Sequence, residues 1–251
     1  MTVNRAEFPI HKNRFSVYFP ALAFFAAWRY NNLLGGSVGI SPKTLMQSSH
    51  DLVVEPIGLE VESLPKPIDF AVLFDNDRPV ELEIGMGKGT FITDQARARP
   101  EVNFLGIEWA RWFWRYASDR VRRAGCNNAR TVRAEAMFFL REYIPAESLS
   151  VVHVYFPDPW PKKRHHKRRL IQGPFAAEMI RVLRPGGRLQ VVTDHQDYFE
   201  QIEPVLRTPG LKIVDFARPG SAGEGEMTGT NFERKYRRQG RPFYAIAAER
   251  P

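Results

Sequence analysis

Glycines 85, 87 and 89 follow directly on Glu81-Leu82-Glu83-Ile84 and precede Thr90. A strand that runs into such a turn and then into a helix lets a ligand lie against bare backbone. A dinucleotide fingerprint needs Gly-x-Gly-x-x-Gly, whose third glycine would fall where Thr90 stands, so that pattern fails. What precedes the turn is an acid. Glu83 would repel a pyrophosphate but can attract, or accept hydrogen bonds from, the cationic amino-acid end of a ligand. A second acid, Glu108, ends the next strand 19 residues after Gly89. A carboxylate there can accept both hydroxyls of a ribose, and Trp109 beside it could cover a purine.

The second chemical constellation is Tyr155-Phe156-Pro157-Asp158-Pro159-Trp160-Pro161, after the fourth strand of the 80–251 region. In an open α/β sheet ligands bind beyond the carboxyl ends of the strands, which puts this loop beside the glycine turn. Three prolines stiffen it and hold Asp158 on a restricted backbone, with Trp160 placed to contact or pack beside an aromatic substrate. Residues 162–169 follow at once with six Lys and Arg and no acid, and residues 234–241 carry five more bases. Such runs suit a polyanion, or else form a solvated loop or a membrane-surface patch. Asp194, after the fifth strand, is either the N-cap of a helix over 196–206 or a ligand contact. His153, inside a strand, reads as packing. With one cysteine and no His-x-x-x-His spacing no metal site is expected, and no Gly-x-Ser-x-Gly or P-loop signature occurs.

These residues need a scaffold, and the pattern from Val80 onward supplies one. Short apolar runs alternate with 3.6-period stretches, which predicts a mostly parallel sheet with crossover helices on both faces. Strands are expected at 80–84, 103–107, 129–132, 149–156, 188–193, 211–216 and 243–247. The helix expected over 109–124 gathers Trp109, Trp112, Phe113, Tyr116, Ala117, Val121 and Ala124 on one face, read as core packing, and Gly125 ends it. Residues 183–187 read as a helix end and tight turn.

The chain has 251 residues, 36 Lys+Arg against 28 Asp+Glu, 43% hydrophobic and 25% charged residues, which excludes disorder, collagen and coiled coil. The single Cys126 forbids an intrachain disulfide and fits a reducing compartment, so the cytoplasm is expected. Residues 1–45 stand apart, with one acid, five bases and an apolar run over 15–28. At roughly 14 residues that run is shorter than the 18 to 20 of a membrane span. It imitates a secretory signal, or the segment precedes a true start at Met46, which is the reading favoured because residues 46–251 already make a complete α/β pattern. Residues 46–79 are expected as an irregular lead-in, with the main α/β domain over 80–251.

The acid-x-Gly-x-Gly-x-Gly turn resembles motif I of class I S-adenosylmethionine-dependent methyltransferases. Asp158-Pro159-Trp160 resembles the Asp/Asn-Pro-Pro-aromatic signature of methyltransferases acting on nitrogen, with one proline in place of two. Taken in order, Phe156-Pro157-Asp158-Pro159-Trp160, Lys163-Arg164-His165, Lys167-Arg168-Arg169, Thr193-Asp194-His195 and Thr230-Asn231-Phe232-Glu233 resemble the bacterial tRNA guanine-N7 methyltransferase (TrmB) family over about 80–249. The resemblance implies a Rossmann-like methyltransferase fold and methylation of the guanine at position 46 in the tRNA variable loop. It implies S-adenosylmethionine contacts at Glu83, Gly85, Gly87, Gly89, Glu108, Glu135 and Asp158, with Asp158 also catalytic. Lys162, Asp194, Thr230, Asn231, Phe232 and Glu233 then correspond to substrate-binding positions. Lys163, Arg164, Lys167, Arg168 and Arg169 are expected to grip RNA phosphates, while Asp194 and Glu233 accept from the guanine edge. No metal, membrane or obligatory protein partner is implied. Two other readings are an N-methyltransferase for another RNA or a protein amide, and an RNA-binding protein that keeps an inherited cofactor fold.

Overall fold

In the computed structural model residues 52–251 are described, and the expectations for 1–45 fall outside them. Among these residues eight strands form one sheet: β1 (Gly58–Glu60), β2 (Val80–Ile84), β3 (Asn103–Glu108), β4 (Ala129–Arg133), β5 (Leu149–Tyr155), β6 (Leu183–Thr193), β7 (Lys212–Val214) and β8 (Tyr244–Glu249). Their order is β1-β4-β3-β2-β5-β6-β8-β7, with β8 antiparallel to both β6 and β7 and every other pairing parallel. The chain winds outward from β2 through β3 to β4, then returns to place β5 on the other side of β2. Strand order therefore reverses at β2 and β5, and the crevice beyond their carboxyl ends is where such sheets take ligands. The register sets Ile84 opposite Val154, so the segments after both strands emerge side by side.

Among the described residues seven α-helices accompany the sheet: α1 (Phe70–Phe74), α2 (Thr90–Ala98), α3 (Arg111–Arg123), α4 (Ala136–Tyr143), α5 (Gly173–Val182), α6 (Gln196–Leu206) and α7 (Asn231–Arg238). Leu82, Leu105, Val152 and Leu189, one on each of four neighbouring strands, are fully buried in the centre. At roughly 1.5–3 kcal/mol for each buried aliphatic side chain, this layer fixes the register on which the crevice depends. None of the described helices is long and apolar enough to cross a membrane.

Three expectations are corrected. The lead-in before residue 80 is not wholly irregular: β1 extends the sheet beside β4, and Asp69 caps α1 by accepting from the Val72 amide at 3.1 Å. A three-residue edge strand has too few positions to display a period. Leu183 belongs to β6, opposite Leu149, and the turn at Gly186 (φ +74°) interrupts that pairing before it resumes at Arg188. On α3, Phe113, Ala117 and Val121 are buried as expected, but so is Trp114, while Trp109 is 44% exposed and Trp112 and Tyr116 stack on each other half-buried. The helix begins at Arg111 rather than Trp109, so Trp109 lies ahead of the packed face, and the buried arc is centred on Trp114 and Ala117.

Candidate active site

The glycine turn leaves β2 with three left-handed residues, Gly85 (φ +77°), Gly87 (φ +54°) and Gly89 (φ +67°). Amides of Gly85 and Met86 donate to the Ile107 carbonyl at 2.9 and 3.2 Å, hooking the turn over the end of β3. The glycines serve different ends. A Cβ on Gly85 would meet nothing within 4 Å and one on Gly87 only the Phe232 ring at 4.0 Å, so both border open space. On Gly89 it would stand 2.7 Å from the Ala117 Cβ, so Gly89 is what allows the α2 end to pack against α3.

Two carboxylates frame the turn. Glu108 accepts from the Gly87 amide at 3.0 Å and from the Ala110 amide at 2.9 Å, bracing turn and helix together. A carboxylate offers about four acceptor sites, so bracing and receiving ribose hydroxyls are compatible. Glu83 is different: it is buried, and its Oε2 has no hydrogen-bond partner among the described residues. Burial pushes its pKa up to about 8, with the Ile92 amide opposing and the Glu108 charge adding. An acid kept neutral in this way beside an open backbone cradle lacks a cation, and a bound ammonium would supply it. On the same face, Glu81 is held by Arg99 at 2.7 and 3.0 Å and by His153 Nε2 at 2.9 Å, while His153 Nδ1 meets the Tyr155 hydroxyl at 2.9 Å. His153 is thus a buried hydrogen-bonding residue, a role that the Glu-x-Glu and His-x-Tyr alternation of two neighbouring strands could have signalled.

Beyond β5, Phe156 (φ +52°) and Trp160 (φ +43°) both adopt left-handed backbone and bracket the half-buried Asp158. Strain of this kind, on the order of 1–3 kcal/mol per residue, persists only where the surroundings enforce it. Phe156 is anchored through its amide to the Val192 carbonyl at 2.7 Å and packs on Phe232, Tyr236 and Phe243. Trp160 is 6% exposed, edge-on to His165 and covered by the Arg168 guanidinium 4.9 Å from its ring, so it packs within the loop.

The basic run forms a 3-10 helix over Lys163–Arg168. Lys162, Lys163, Arg164, Lys167 and Arg168 are exposed and available to a polyanion. Arg169 is not: it is 2% exposed and its guanidinium is bonded inside the protein, which corrects its expected role as a phosphate contact.

The remaining candidates stand after β4, after β6 and at the start of α7. Asp194 accepts from Arg241 Nη1 at 2.7 Å, and the N-cap of α6 is His195, so Asp194 does not cap that helix. Thr230 caps α7 by accepting from the Glu233 amide at 3.1 Å. Asn231 Nδ2 donates to Thr90 Oγ1 at 2.7 Å, and Arg120, which the sequence did not single out, also donates to that hydroxyl. With Phe232 against Gly87, the 230–233 segment lies directly on the glycine turn. Glu233 itself is fully buried and accepts from the Thr228 and Gly229 amides, the Thr228 hydroxyl and Arg237 at 2.6–2.9 Å, and also from the Met227 amide. Burial would raise its pKa, but these donors outweigh it and hold the group below the usual range. Its carboxylate is therefore spent on organising the turn at 227–230, which corrects its assignment to the guanine edge. Glu135, exposed beyond β4, caps α4 by accepting from the Met137 and Phe138 amides at 3.0 and 2.7 Å.

A family model described as putative methyltransferase matches residues 77–246. A protein of Bordetella pertussis named tRNA (guanine-N(7)-)-methyltransferase is 42% identical over 170 residues, 65% of this chain and 67% of that protein. One of Nitrosococcus oceani with the same name is 38% identical, over 73% and 77% of the two chains. Another of Myxococcus xanthus is 34% identical over 80% of this chain and 97% of its own length. Among solved structures, the [4+2]-cyclase SpnF shares the fold at a TM-score of 0.50 and 15% identity, covering 89% of this chain and 94% of that one.

Proposed function

The chain belongs to the bacterial tRNA (guanine-N7) methyltransferase family, and we propose that it methylates N7 of the guanine at position 46 in the tRNA variable loop, with S-adenosylmethionine as donor. The observation that carries this reading is the pairing of two features on adjacent strands: a buried carboxyl with one oxygen unpartnered among the described residues, at an open glycine cradle after β2, and the strained Asp158 loop after β5. The donor set fits the cofactor. Glu83 Oε2 would take its ammonium group, Gly85 and Gly87 would admit its amino-acid end to the backbone, and Glu108 would hold the ribose hydroxyls. Trp109 would cover the adenine, and Glu135, whose oxygens cap α4, would reach that end only with its remaining acceptor capacity.

Bound there, S-adenosylmethionine supplies a methyl group on a positively charged sulfur. Guanine N7 carries an in-plane lone pair, and its methylation removes no proton, so the site needs no general base for the transfer. Positive charge moves onto the purine instead. Asp158 orients the guanine and stabilises that developing charge from a fixed position, while the loop and the cradle align the reacting atoms. Lys162, Asp194, Thr230, Asn231 and Phe232 line the guanine side, with Glu233 fixing the 227–230 turn that leads into the last three. Lys163, Arg164, Lys167 and Arg168 bind phosphates without reading sequence. The work of such an enzyme on tRNA belongs to the cytoplasm.

Incubation with methyl-labelled S-adenosylmethionine and unmodified tRNA, followed by nucleoside analysis, tests the reading. Label in 7-methylguanosine is expected. Label in another nucleoside, or in protein, would move the chain to a different N-methyltransferase, and binding without transfer would leave an RNA-binding protein.

A further inference from the structure

Arg169 ends a run of exposed bases yet turns away from them. It lies one residue past the 3-10 helix with extended backbone (φ −60°, ψ 136°), which swings its side chain inward while its neighbours stay in solvent. Its Nε donates to the Pro159 carbonyl at 2.8 Å, Nη1 donates to Gln201 Oε1 at 2.8 Å and Nη2 donates to Asp197. The guanidinium also lies 4.8 Å from the centre of the Tyr198 ring. Its partners are themselves fixed: Gln201 Nε2 donates to the Ile171 carbonyl at 3.1 Å, and the Tyr198 hydroxyl accepts from the Ile171 amide at 3.0 Å. The cation is thus tied to three side chains of α6 on one side and to a single backbone carbonyl on the other.

That carbonyl stands between Asp158 and the left-handed Trp160. From this geometry we propose that Arg169 is a positioning residue, which clamps the Asp158 loop to α6 and thereby sets the aspartate, rather than a contact to RNA. A buried guanidinium is costly unless its donors are satisfied, and reaching a phosphate would mean abandoning all three bonds. Lysine cannot replace it, because a single ammonium cannot span a carbonyl, an amide and a carboxylate in one plane. The clamp holds against the strain of Phe156 and Trp160, so releasing it lets the loop relax and moves Asp158 from the position that transfer needs.

The proposal deepens the functional reading above and rests on Asp158 acting there, but its test has a readout independent of catalysis. Arg169→Lys is compared with Arg164→Ala, which removes an exposed base. We expect Arg169→Lys to lower kcat at least tenfold, with tRNA affinity and its salt dependence within twofold of the parent. We expect faster hydrogen exchange at the Asp158 and Trp160 amides, with the β2 amides unchanged. Arg164→Ala should flatten the salt dependence and leave loop exchange as it is. Gln201→Ala, which keeps Arg169 and Asp197 in place, should shift kcat and loop exchange in the same direction by a smaller factor, and it serves if Arg169→Lys does not fold. A flattened salt slope in Arg169→Lys with unchanged loop exchange would overturn the clamp, as would unchanged kcat and unchanged exchange together. If the parent protein transfers no methyl to tRNA, the functional reading fails while loop exchange still decides the clamp.

Discussion

Glu83→Gln should stabilise the ligand-free protein at neutral pH and abolish its response to the cofactor. The folded-state pKa of Glu83 is raised from 4.5 to about 8 because burial disfavours its charge. Between those two values the unfolded chain has released the proton and the folded chain retains it. Stability therefore falls as pH rises through that window, by about 1.4 kcal/mol per unit where the difference is complete. At pH 7 the accumulated cost is on the order of 3 kcal/mol, and a neutral, isosteric glutamine does not incur it. For a domain of this size that corresponds to roughly 6–12 °C in Tm. The assay is urea unfolding of both proteins from pH 5 to pH 8 without cofactor, taking the difference so that other carboxylates cancel. The difference between the two curves should be smallest at pH 5, under about 1 kcal/mol, and grow as pH rises, with the variant the more stable. S-adenosylmethionine should then protect the parent and not the variant. A variant that is less stable at pH 7, or a difference that does not change with pH, would refute the reasoning.

Replacing Asp158 by Asn should cut kcat by about 10²–10³ while tRNA affinity stays intact, the scale on which a single preorganised electrostatic partner acts; near-native turnover in a steady-state assay would remove the charge-stabilising role. Alanine at Lys163, Arg164 and Lys167 together should reduce the slope of log affinity against log salt by about 0.7–0.9 for each phosphate no longer neutralised, checked by filter binding at several salt concentrations. Gly89→Ala should destabilise the fold by roughly 2 kcal/mol or more, since its left-handed backbone adds about 1–2 kcal/mol to a clash with Ala117. Gly85→Ala, strained but facing open space, should lose cofactor binding by calorimetry at a smaller cost in Tm.

How far the sequence revealed these features depended on the kind of signal each carries. The central strands were legible as short apolar-rich runs between helix-period stretches, and the expected 80–84 is the observed β2, but its Val80-Glu81-Leu82-Glu83-Ile84 alternation has the pattern of a half-solvated strand although all five residues are buried. The glycine turn and the Asp158 loop were legible because backbone geometry demands particular residue types. Glu83 could be recognised as an acid at the turn, but its neutrality could not, since that depends on what buries it. Arg169 and Glu233 were misassigned for a related reason. In a run of bases nothing local tells which side chain turns inward, and Glu233 three residues after Thr230 signals a helix start without revealing that its carboxylate collects the turn before it. The face of α3 was misjudged because Trp112, Trp114 and Tyr116 are all aromatic, and spacing alone does not tell which side of that aromatic arc meets the sheet.

The most direct measurement of the central claim uses two tRNAs that differ in one atom, one with guanosine at the target position of the variable loop and one with 7-deazaguanosine there. With methyl-labelled S-adenosylmethionine, the first should acquire label recovered as 7-methylguanosine and the second none, because carbon replaces the only nitrogen proposed to attack. Equal labelling of both tRNAs would contradict transfer to N7.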